Sequence, residues 1–201
     1  MAITNYSELK TAIADFLNRD DLTSAIPTFI SLAEADIARK VRHWSQEKRV
    51  TTNVDQRYEN LPTDFLEAVR IQLNDGQLRP ISSDQMARYR KTSQDVAGEP
   101  KYFYLSANQI ELYPTPSEAT ELSLLYYARV PALSDSEPTN WMLTNNPDVL
   151  LYGALVHSAP YLQEDARSAV WAGLYQNAVD SLNRESNITQ ASGGALVMRV
   201  K

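Results

Sequence analysis

The sequence predicts an α+β chain: an antiparallel helical bundle of about four main helices, an inserted β-rich subdomain and an extended C-terminal tail. Three observations carry this. Apolar residues recur at helical spacing near both ends of the chain. The middle third switches to alternating, β-branched and aromatic runs punctuated by turn residues. A Gly-Gly pair near the end is followed by residues that alternate apolar and basic. The corresponding boundaries are 1–46 for the N-terminal helices, 47–130 for the β-rich insertion, 131–186 for the C-terminal helices and 187–201 for the tail.

The first helix is expected over 5–18, with Leu9, Ala12, Ile13, Phe16 and Leu17 as its apolar stripe. Asn5 followed by Glu8 is a start signal of the capping kind. The second runs from about 25 to 44. Its stripe is Ile26, Phe29, Ile30, Ala33, Ile37, Val41 and Trp44. Pro27 lies in the first turn, where a missing N–H costs nothing. Arg39, Lys40 and Arg42 come late, where cations suit the helix dipole.

"KRVTTNVDQRYENL" then reads as strand and "LPTDF" as a turn. In "LEAVRIQLNDGQLRPI" the Asp75-Gly76 pair between two strand-like runs signals a hairpin, with Val69, Ile71 and Leu73 on one face. "SSDQMARYRK" is a short helix on a connection. "KYFYLSANQIELYP" is a second hairpin with Ala107-Asn108 near its tip. "ELSLLYYARV" is a further strand with Leu122, Leu124 and Tyr126 on one face.

A turn-rich connector leads to Asn146-Pro147, where Asn146 as N-cap and Pro147 as first residue start another helix. "DVLLYGALVHSAPYL" is apolar nearly all round, which predicts a helix in the middle of the bundle, kinked or ended at Pro160. The last helix is expected from about Asp165 to Arg184. Val170, Leu174, Ala178 and Leu182 form its stripe, broadened by Trp171 and Tyr175.

Composition narrows the function. The chain has 201 residues, 43% hydrophobic and 22% charged, an ordinary globular balance. Net charge is −6 and the isoelectric point about 5.0, which argues against a basic-patch nucleic-acid binder. Without cysteine there is no disulfide, thiolate or Cys-based zinc chemistry. "MAITNYSELK" has no basic and apolar leader pattern, and no apolar run reaches the ~20 residues that span a bilayer. The expectation is a soluble protein.

No motif points to a reaction. A phosphate loop, HExxH, a calcium loop and GxSxG are all missing from the sequence. His43 reads as dipole-favoured near a helix end, and His157 as a packing histidine with its bonds satisfied. Asp20/Asp21 and Glu164/Asp165 read as helix-edge carboxylates. Tyr102, Tyr104, Tyr113, Tyr126 and Tyr127 crowd the β region. They suit cross-strand packing, or else a stacking platform for a ligand. The expectation is no enzyme, no metal and no cofactor.

The strings "IPTFISLAEADIARKVR" (26–42), "LPTDFLEAVRI" (61–71), "IELYPTPSEATELSLLYYARVPALS" (110–134), "NWMLTNNPDVLLYGALVHSAPYL" (140–162) and "ASGGALVMR" (191–199) carry a resemblance. Together with the order of segments, they make the chain resemble the head-to-tail adaptor (connector) proteins of tailed bacteriophages, especially the short-tailed type. The resemblance implies a structural virion protein at the head–tail interface, assembled in the host cytoplasm. It implies a homo-oligomer, a dodecameric ring beneath the portal, built from a chain that can be a monomer alone. It also implies an extended DNA channel that genomic DNA passes without sequence-specific binding, and a platform for a tail nozzle or other tail proteins, with no membrane involved. Residues Gly193, Gly194, Ala195, Leu196, Val197, Met198 and Arg199 become the partner-binding segment, toward the portal or a neighbouring subunit. A soluble ligand-binding module, or a tail nozzle protein, is the alternative. An alternating apolar and basic tail also suits, on its own chemistry, a segment that orders as a strand only on binding.

Overall fold

The computed structural model describes residues 2–74, 76–93, 96–162 and 167–192. It is α+β, with six helices and two four-stranded sheets among the described residues. The helices are α1 (Tyr6–Leu17), α2 (Ile26–Lys40), α3 (Ser83–Ser93), α4 (Trp141–Asn145), α5 (Pro147–Leu162) and α6 (Ser168–Ser192). The strands are β1 (Glu47–Val54), β2 (Tyr58–Asn60), β3 (Phe65–Leu73), β4 (Gly76–Gln77), β5 (Arg79–Pro80), β6 (Tyr102–Ser106), β7 (Gln109–Tyr113) and β8 (Thr120–Ala128). The chain divides into two compact units, Met1–Ser45 with Arg129–Lys201, and Gln46–Ala128.

In the first unit, Asn5 caps α1 by accepting the Glu8 N–H at 3.0 Å. The Glu8 carboxylate reaches back to the N–H of Thr4 at 2.7 Å, one residue before the cap. Leu9, Ala12, Ile13 and Leu17 are buried, whereas Phe16 is 46% exposed, which removes it from the expected stripe. Pro27 sits in the first turn of α2. That helix ends at Lys40, because Val41 turns to extended backbone (φ −101°, ψ 129°). His43 and Trp44 therefore lie beyond the helix, and Trp44, in a short 3-10 turn, is 45% exposed.

α5 is the central element. It packs against α1, α2, α4 and α6, and Val149, Leu150, Leu151, Ala154 and Leu155 are all buried. A helix with neighbours on every side needs apolar residues on every side. It continues past Pro160 to Leu162. Pro160 forfeits only the bond its own N–H would donate back to the i−4 carbonyl, and so near the end little helix follows to be displaced by a kink. The preceding five-residue helix α4, capped by Asn140, which accepts the Leu143 N–H at 2.8 Å, was not expected. Asn146 stands between the two helices, closing α4.

α6 buries Trp171, Tyr175, Val179 and Leu182, and leaves Val170 and Leu174 61% and 39% exposed. The expected stripe is thus rotated by about one residue, toward the side with the larger rings. The helix also runs to Ser192, beyond the expected end at Arg184. Where α2, α5 and α6 meet, Gly153 lets the backbones approach. A Cβ there would sit 3.1 Å from both Ala33 Cβ and Tyr175 Cε2. Gly153→Ala gains helix propensity of about 1 kcal/mol but overpacks this contact, at a cost of roughly 1–3 kcal/mol. The expected net result is destabilisation, read as a lower urea midpoint. A higher midpoint would show that Tyr175 and Ala33 can yield.

The second unit pairs β1-β8-β3-β4 in one sheet and β2-β7-β6-β5 in the other. Inner residues of both meet in one core, with Ile71, Leu73, Leu122, Leu124 and Tyr126 from the first and Phe103, Ile110 and Leu112 from the second. β8 alternates as its sequence indicates. β3 does not. Its register against β8 shifts between Phe65 and Glu67 and again between Ala68 and Arg70, so Val69 is left over as a bulge and is 41% exposed while Ile71 and Leu73 are buried. The first hairpin is also displaced. Leu73 pairs with Gly76, so Asn74, with φ 49°, opens the turn in place of an Asp75-Gly76 turn. Asp75 itself lies outside the described residues. The second hairpin pairs Ser106 with Gln109 around Ala107 and Asn108.

Candidate functional site

The expected partner-binding residues, Gly193, Gly194, Ala195, Leu196, Val197, Met198 and Arg199, lie outside the described residues, as do Glu164 and Asp165. The remaining candidates are placed. His43 is buried beyond the end of α2, stacked on Trp141 at 5.2 Å and 17°, with Nδ1 accepting the Ser45 N–H at 3.2 Å. Burial lowers its pKa, against the pull of Glu185, and α2 has already ended at Lys40, so His43 does not occupy the dipole-favoured end position expected for it. His157 is likewise pushed down by burial. Its Nε2 is buried and has no hydrogen-bond partner among the described residues, which corrects the expectation that its bonds are satisfied. No group of three or more potential metal ligands occurs among the described residues. No helix there is long and apolar enough to cross a membrane.

Two polar clusters are completed by residues distant in sequence. On α2, Asp36 accepts from Tyr175 Oη at 2.9 Å, Lys40 Nζ at 2.7 Å and Arg39 at 3.1 Å. Burial alone would raise this carboxyl, but the bonds from Lys40 and Tyr175 hold it below the usual range. In the second unit, Glu111 accepts from Arg57 and from Arg90, each at 2.8 Å. Arg90 also donates to the Leu112 carbonyl at 2.7 Å. Tyr89 stacks on Tyr113 (5.6 Å, 18°) and lies against Tyr102 (5.4 Å, 35°), and Tyr126 donates to Asp64 at 2.8 Å. Most of the expected tyrosines are thus engaged within the sheets and do not form an open stacking platform.

Glu34 is the carboxylate with a raised pKa. Burial pushes it above the ordinary 4.5, although the Leu133 N–H, donated at 2.7 Å, pulls the other way. The folded chain therefore holds this proton more tightly than the unfolded chain. The associated stability is complete below the unfolded value and is lost as pH rises through the folded one. Glu34→Gln keeps an acceptor for Leu133 and removes the titration. Relative to wild type its stability should improve as pH rises from about 4.5. Parallel stability curves between pH 4 and 7 would show that Glu34 is not strained by burial.

A slot in the second unit is lined mainly by apolar side chains. β1 and β2 are each the edge of their sheet. Between them lies a cavity of about 210 Å³ lined by Val50 and Thr52 of β1, Glu59 and Asn60 of β2, Leu61, Pro62, Ile110, and Leu122 and Leu124 of β8. Val50 pairs with Leu124 and Thr52 with Leu122, so these four side chains share the inner face. The second sheet covers Leu122 and Leu124, which are buried, but leaves Val50 and Thr52 at the β1 edge exposed, Val50 by 39%.

Compared with known proteins, residues 4–199 match the family model described as the SU10 adaptor protein. No curated protein matches the chain.

Proposed function

We propose, from the fact that the chain belongs to the SU10 adaptor protein family, a family of phage head-to-tail adaptors, that its role in the virion is assembly and not catalysis. Copies of the chain form a dodecameric ring beneath the portal, extend the DNA channel and present a platform for the next tail component. The helices of the first unit make the ring body as an antiparallel bundle. Residues 193–199 join each copy to its neighbour in the assembly, either the portal or another subunit.

The observation that carries this reading is the family match over nearly the entire chain, residues 4–199. The charge supports it. A net charge of −6 argues against a surface that grips a phosphate backbone and suits a channel that DNA passes without sticking. The aromatic residues offer less to the alternative of a ligand-binding module, because Tyr89, Tyr102 and Tyr113 occupy one another's faces.

Light scattering of the chain mixed with purified portal is the test. The expected result is a single larger particle whose mass fits a ring of copies on the portal. A mixture that scatters as the sum of its parts overturns the adaptor role for this chain.

A further inference from the structure

Most of the molecule's open features explain themselves locally. The groove beside α1, about 510 Å³, is open and lined by charged Lys10, Asp15 and Asp20 as well as by Ala14, Ile26 and Pro27. The Arg57–Glu111–Arg90 cluster is engaged from several sides. The edge of β1 is different, because β1 is hydrogen-bonded to β8 on one side and lies at the edge of its sheet on the other, and Val50 and Thr52 on its inner face are exposed.

We propose that the slot between β1 and β2 receives the 193–201 tail of a second copy of this chain as an added strand along β1. The inference rests on the homo-oligomeric reading above and specifies where one copy grips the next. β1 is eight residues long, contains no proline, and residues 48–53 are exposed. An edge of that length is a template for another strand. The slot beside it is smaller than the roughly 300–1,000 Å³ of small-molecule sites and is lined mainly by apolar side chains. It therefore suits side chains carried on a strand better than a free ligand.

The tail meets those requirements. The described chain ends with α6 at Ser192, and nine residues follow, beginning with Gly193-Gly194. Ala195–Lys201 would span about 23 Å as a strand at 3.3 Å per residue, the length of residues 48–54 of β1. Leu196 and Met198 fall on one side of such a strand and enter the slot. Val197, Arg199 and Lys201 fall on the other.

Charge sets the direction. β1 begins with Glu47, Lys48 and Arg49, with Lys48 paired to Asp64 at 2.6 Å, whereas Asp55 follows its end and Glu59 lines the slot. Arg57, between them, is held by Glu111. The tail's two cations lie at its end, so a parallel strand puts Arg199 and Lys201 beside the acidic Asp55 and Glu59, and an antiparallel one puts them beside the mixed charges of Glu47, Lys48 and Arg49. A tail given to the next copy and a slot filled by the previous one is a head-to-tail contact, the kind that closes into rings.

The chain has no cysteine, so engineered disulfides report cleanly. The full chain carrying Thr52→Cys and Met198→Cys is oxidised alone at high concentration and again with portal. Arg88→Cys with Met198→Cys, on exposed α3, is the control. The expected result is a ladder of disulfide-linked multimers at least tenfold above the control in either condition. A ladder no stronger than the control in both conditions overturns the proposal. Disulfide-linked monomers overturn it too, since the tail would then serve its own slot. Portal binding of the unmodified chain is scored in parallel. If it binds portal but the Thr52/Met198 pair never links copies, the strand site fails and the adaptor role stands. If it does not bind portal, the adaptor role fails, and the ladder still decides the strand site.

Discussion

Removal of residues 191–201 should abolish attachment to portal-bearing heads while leaving the melting temperature unchanged. The core of the first unit closes before the deletion begins. Among the described residues its last apolar member is Leu182, and the last buried side chain on α6 is Ser186. What is lost is a short segment with too few apolar groups to offset an ordering cost of about 1–2 kcal/mol per residue without a partner. On a partner surface the balance reverses, and a ring multiplies it. Linked weak contacts can raise avidity by roughly 10²–10⁴ over one contact, so removing one strand from every copy removes far more than one contact's worth of binding. Cosedimentation of the truncated chain with heads measures attachment, and a thermal melt measures folding. Normal attachment, or a chain that no longer folds, would each show that the tail is not the joining segment.

Leu155→Ala should be the most damaging single core substitution, costing about 2–5 kcal/mol. Leu155 is fully buried on α5, the helix with packed neighbours on four elements. Close neighbours leave little freedom to collapse around the missing methyl groups, so most of the cavity persists. Leu151, 6% exposed, should fall toward the lower end of that range. The three tryptophans, Trp44, Trp141 and Trp171, all belong to the first unit. Tryptophan fluorescence during urea unfolding therefore reports on the unit that Leu155 occupies. A midpoint equal to wild type would show that α5 is not the centre of the core.

Much of the architecture is determined by the sequence alone, because it depends on groups a few residues apart. Asn5 caps α1 through its own neighbours, Pro27 suits a first turn wherever the helix leads, and Leu122, Leu124 and Tyr126 alternate because a strand has period two. The α+β class follows from such signals, and the adaptor resemblance from strings spread over the whole chain. Tertiary structure decided the rest, wherever a choice depended on a distant partner. α6 offers two adjoining apolar stripes, and only packing selects the one through Trp171, Tyr175 and Val179 over the one through Val170 and Leu174. The same holds for Phe16, apolar and in phase with its helix yet left outside. The bulge at Val69 arises from pairing with β8, more than fifty residues away, and no property of Val69 announces it. The slot is the clearest case. Val50, Glu59, Ile110 and Leu122 come from four strands and become neighbours only when two sheets close on one core. A local signal extends over a few residues because it is carried by backbone geometry and near side chains. A site made by sheet edges has no such carrier and exists only once the long-range pairing is complete.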